Sequence, residues 1–87
     1  MRLYNIMRTT CACPSQWQGV TEDERPVYMR YRGGLFEIRI GPIGGDVGEA
    51  VRADSVYECD VGGGFDGYMT CDDMFRHWLK YADGEEK

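Results

Sequence analysis

The chain has 87 residues, 43% of them apolar and 29% charged, and a net charge of −5. That length allows a single domain with one core, and the composition lies well outside the disordered regime. No stretch approaches the roughly 18 apolar residues needed to span a bilayer, and the acidic balance argues against nucleic acid as a direct partner, because phosphate binding runs on cationic surface.

The opening stretch, Met1-Arg2-Leu3-Tyr4-Asn5-Ile6-Met7-Arg8, has no continuous apolar run and no small-residue cleavage site. It does not read as a signal peptide, so the expected location is cytoplasmic. Cys11, Cys13, Cys59 and Cys71 are then expected as reduced thiols. Residues 2–9 and 15–21 read as extended, with Trp17 anchoring the second strand against a core. Glu22-Asp23-Glu24-Arg25-Pro26 is a charged turn.

The strongest local signal follows. Val27 to Arg32 and Leu35 to Ile40 are two period-two runs flanking Gly33-Gly34, which predicts a hairpin with a two-residue turn. Folding on that turn pairs Tyr31 with Phe36, Met29 with Ile38 and Val27 with Ile40 on an apolar face. Arg30 with Glu37 and Tyr28 with Arg39 fall on a polar face, the second pair as a cation–π contact. A slip of one residue mixes the faces, so the register is specified.

Residues 41–49 are expected to be a glycine-rich loop, and residues 55–61 a further strand with Tyr57, Cys59 and Val61 inward. The spacing predicts a helix over 70–82. Thr70 is its N-cap, Asp73 completes a capping box, and Gly84 is placed to end it. Cys71, Met74, Phe75, Trp78, Leu79 and Ala82 share its apolar face.

Each chemical motif carries a plainer alternative. Cys11 and Cys13 could supply two thiolates, with Cys59, Cys71 or His77 completing a zinc site, but structural zinc sites usually carry two short ligand pairs. The thiols read more simply as small hydrophobes. Cys71 falls in a first helical turn, where a thiol can be activated, yet His77 lies six residues on and off the helix's apolar face, so the pair lacks nucleophile–base geometry. Gly62, Gly64 and Gly67 have the Gly-x-Gly-x-x-Gly spacing without its βαβ unit and read as a turn. Arg30, Arg32 and Arg39 beside Tyr28 suggest an RNA-reading sheet, but Glu37 and Tyr28 are internal partners for two of those arginines. No metal, cofactor or catalytic residue is expected.

Three segments together carry a resemblance: Cys11-Ala12-Cys13-Pro14-Ser15-Gln16-Trp17-Gln18-Gly19, Val27-Tyr28-Met29-Arg30-Tyr31-Arg32-Gly33-Gly34-Leu35, and Phe65-Asp66-Gly67-Tyr68-Met69-Thr70. The chain resembles small phage and prophage proteins of uncharacterised function. In those, a Cys-Pro-x-Gln-x-x-Gly stretch precedes a Tyr-x-Arg-x-Arg strand, and an Asp-Gly-x-Met turn precedes a short helix. The resemblance brings no catalytic residues. It implies a setting, the cytoplasm of an infected bacterium, where small acidic proteins act by occupying a host protein's surface.

The expected fold is α+β: one domain over 1–87, with a twisted antiparallel sheet of four to five strands and one C-terminal helix packed on one face. Its core should hold Leu3, Trp17, Val27, Met29, Tyr31, Phe36, Ile38, Ile40, Tyr57, Cys59, Met74, Phe75, Trp78 and Leu79. Seven arginines against six acids give residues 1–52 a charge of +1, while residues 53–87 carry −6. The expected function is therefore that of a non-enzymatic protein that binds and blocks a host protein. One such partner is a nucleic-acid-binding defence complex of the CRISPR kind, met by an anti-CRISPR-like inhibitor with an acidic surface. Asp54, Glu58, Asp60, Asp66, Asp72 and Asp73 form the expected contact set. The alternatives are a zinc-stabilised binding module and a small enzyme using Cys71 or the acidic loop around Asp66.

Overall fold

The computed structural model describes residues 2–10, 15–60 and 70–85. Cys11, Cys13, Val61 and the glycine turn at 62–67 with Asp66 lie outside the described residues. Five strands follow one another as an antiparallel meander: β1 (Leu3–Thr10), β2 (Ser15–Thr21), β3 (Pro26–Arg32), β4 (Leu35–Ile40) and β5 (Ser55–Asp60). Two helices interrupt or follow it, α1 (Val47–Arg52) and α2 (Cys71–Glu85). The fold is α+β, with α2 on one face of the sheet.

The β3–β4 hairpin has the register that its alternation predicts, from Arg32 opposite Leu35 to Val27 opposite Ile40. Gly33 and Gly34 sit at φ 59° and 83°, the two positive values that a type I′ turn needs. A Cβ on Gly33 would meet nothing within 4 Å, so only backbone conformation restricts that position. Gly33→Val is expected to lower stability by about 1–2 kcal/mol, read as an earlier urea midpoint. Gly33→Asn should lose far less, because asparagine tolerates the left-handed region.

The chain between β4 and β5 is more than a loop. Asp46 caps α1, its side chain accepting the Glu49 amide at 2.9 Å, with Glu49 in the first turn and Arg52 in the last. This short helix lies against β3 and β4. Gly41 permits the approach: a Cβ there would sit 2.8 Å from Pro26 Cγ and 3.1 Å from the Ala50 amide. Arg39 fastens the far end, donating through Nη1 to the Val51 and Ala53 carbonyls at 3.1 and 2.9 Å. The expected Tyr28–Arg39 stacking gives way to that capping role, and Tyr28 is buried.

On the other face Trp17, Val27, Met29, Tyr31, Phe36, Ile38, Ile40, Met74 and Trp78 make the core. Leu3, Ile6, Tyr57, Phe75 and Tyr81 pack around it partly buried, and Cys59 is half-buried. Leu79, expected inside, is 55% exposed. The helix turns its other flank inward, because Phe36 and Tyr57 lie under His77 and Tyr81. Cys71, also expected on the buried face, is exposed in the first turn. Thr70 accepts the Asp73 amide at 3.2 Å, as an N-cap should, but the helix continues through Gly84 to Glu85.

Candidate functional site

The chemistry-bearing side chains fall into three separate places. The first is aromatic and half-buried. His77, expected at the surface, stacks on Phe36 with centroids 5.0 Å apart, and its Nδ1 lies 3.0 Å from the Tyr57 hydroxyl. Burial lowers the His77 pKa below its ordinary 6.5, Lys80 adds repulsion, and Asp73 opposes both. Tyr57 is pushed above 10.0, first by burial and then by Cys59 beside it. Its hydroxyl therefore keeps its proton at neutral pH and donates to Nδ1 when His77 carries its proton on Nε2. The imidazole is half-buried and held between Phe36 and Tyr57.

A histidine harder to protonate when folded adds stability that is complete above the unfolded value of about 6.5 and is lost as pH falls below it. The unfolding free energy should therefore drop between pH 7.5 and 5.5 by more in the wild-type chain than in His77→Phe, measured by urea titration at both pH values. Equal drops would place the titration elsewhere.

The second place is at Cys71. Arg8 Nη1 approaches its Sγ at 3.9 Å, while Arg8 Nη2 donates to Ser15 Oγ at 3.0 Å and the guanidinium lies 5.0 Å over the Trp17 ring. Arg8 thus spans β1, β2 and the start of α2. Among the described residues no three of His, Cys, Asp and Glu gather as a metal site would require.

The third place is the sheet edge formed by β5, which has β4 as its one neighbour among the described residues. The strand alternates as its sequence predicts: Tyr57 and Cys59 turn toward α2, whereas Val56, Glu58 and Asp60 are exposed, as is Asp54 just before it. Glu58 stands directly across from Glu37. Glu37 is itself 7% exposed and accepts from Arg39 Nε at 3.2 Å and from Ser55 Oγ at 3.2 Å, with Arg30 Nε at 3.9 Å. Both nearby cations are thus committed to Glu37, and among the described residues Glu58 makes no ion pair.

Of the six expected contact acids, Asp54, Glu58 and Asp60 come together along this edge. Asp72 and Asp73 do not join them on the strand. They lie exposed in the first turn of α2, on the side of the sheet away from Glu58, and Asp73 pairs with Arg76 at 3.7 Å. Val56, which the alternation of the sequence sets on the same side as Glu58 and Asp60, is 45% exposed and lies at a register shift opposite Ile38 and Arg39.

No helix is long and apolar enough to cross a membrane among the described residues. Comparison with protein-family models, with curated proteins and with solved structures finds no match for this chain.

Proposed function

We propose that this chain is a non-catalytic accessory protein that binds and blocks a partner protein through the acidic edge strand β5. The partner presents a basic surface, of the kind a nucleic-acid-binding complex uses for phosphates. The resemblance to small phage proteins gives the setting, a bacterial cytoplasm, and makes a host defence complex the natural partner class.

One observation carries this reading: Glu58 opposes the buried Glu37. Glu37 is already held by Arg39 and Arg30, so Glu58 gains no cation of its own among the described residues. A charge on an edge strand also deters edge-to-edge pairing. A lysine at 58 would serve that purpose equally, and the carboxylate makes no ion pair for the fold among the described residues. It is exposed and suited to a cationic partner.

The test is affinity capture from bacterial lysate at low salt, with wild-type protein and a Glu58→Lys, Asp60→Lys variant in parallel. Recovery of a basic protein by the first and not the second supports the reading. Equal recovery by both, or nothing above background, argues against it.

A further inference from the structure

Among the described residues, the sheet face opposite α2 is only half covered. Helix α1 lies over β3 and β4, and no described element packs comparably over β1 and β2 beside it. An open groove runs there in two adjoining sections of about 610 and 270 Å³ that share Asn5, Val20 and Gly45. Tyr4, Met7, Val20, Pro26 and Val47 supply its apolar surface, and Tyr4 and Met7 are 45% and 62% exposed. Its charges are Glu22 and Glu24, and no cation is among the described residues that line it.

Glu24 is the informative residue. It occupies φ 64°, one of two positive values held by non-glycine residues among those described; the other is Asn5, which lines the same groove. The β2–β3 turn closes with Glu24 N donating to the Thr21 carbonyl at 3.0 Å and Thr21 N to the Arg25 carbonyl at 2.9 Å. In such turns the left-handed position is normally glycine, because a Cβ is strained there. What Glu24 gives the fold is its carbonyl, which accepts from Gly44 N at 2.8 Å. Glycine would keep that bond and remove the strain. The carboxylate is what glycine could not supply.

We infer that the groove between β1–β2 and α1 is a docking site for an extended, basic peptide segment of a partner protein. An arginine or lysine of that segment meets Glu24, and a neighbouring large apolar side chain lies on Tyr4, Met7 and Val20. Strain held at a residue facing a cleft is a recurring mark of ligand-binding positions. The commitment to a basic occupant follows from the charge of the lining. This surface is distinct from β5 and stands or falls without it.

The probe is a display library of random twelve-residue peptides, selected on wild-type protein. Selected sequences should be enriched in arginine or lysine next to a large apolar residue. A representative synthetic peptide should shift the amide resonances of Asn5, Val20 and Gly45. Glu24→Gly should bind it at least tenfold more weakly while melting about 4–8 °C higher, since relief of strain and loss of the carboxylate act in opposite directions. Met7→Lys, at an exposed position, should also weaken binding with the fold intact. No enrichment, enrichment without basic residues, or undiminished binding by Glu24→Gly would each overturn the site. A Glu24→Gly variant that melts lower would overturn the argument from strain.

Discussion

Trp78→Ala should unfold much of the protein at physiological temperature. Trp78 is 2% exposed and stands with Met74 as the part of α2 that enters the central cluster around Trp17, Met29, Phe36 and Ile38. Removing a buried tryptophan typically costs about 3–5 kcal/mol in lost transfer energy and residual cavity. A domain this small sits near the low end of the usual 5–15 kcal/mol of total stability. The melting temperature, followed by circular dichroism, should fall by about 15 °C or more. Leu79→Ala, one residue along on the exposed flank, should change stability by no more than about 0.5 kcal/mol. Comparable losses at the two positions would mean that α2 is rotated on the sheet.

The second large effect is on binding. Replacing Asp54, Glu58 and Asp60 with lysine adds six units of charge and takes the net charge from −5 to +1. At low ionic strength this should weaken association with a basic partner at least tenfold, chiefly through the on-rate, because exposed charges steer encounter more than they hold the complex. Glu58→Lys alone, at an exposed position beside a Glu37 already paired with Arg39 and Arg30, is expected to change stability by no more than about 0.5 kcal/mol. A variant that loses binding while melting at or above the wild-type temperature separates function from folding.

Much of the architecture is legible from periodicity because one sheet face is buried. Tyr31, Met29 and Val27 must face Phe36, Ile38 and Ile40, and Gly33-Gly34 fixes where the strands reverse. Helix α1 escapes that reading. Six residues containing a glycine show no amphipathic period, and its one signal is Asp46 three residues before Glu49. Leu79 and His77 exchange places for a tertiary reason. They flank the Met74–Trp78 stripe symmetrically, and only the position of Phe36 and Tyr57 on β4 and β5 decides which flank is inside. The acids along β5 follow from strand alternation. Their separation from Asp72 and Asp73 follows from which face α2 takes, and charge counting along the chain carries no such information. The significance of Glu24 is equally tertiary, since its strain becomes visible only once the turn has formed.

The most direct test is the salt dependence of the association constant with the captured partner, measured for the wild-type chain and the triple lysine variant between about 50 and 500 mM salt, a range over which the screening length shortens severalfold. Wild-type affinity should fall steeply with salt, and the variant's weaker affinity should stay flat, the two converging at the high end. Parallel slopes, or a variant as tight as wild type at the lowest salt, would contradict an acidic edge as the working surface.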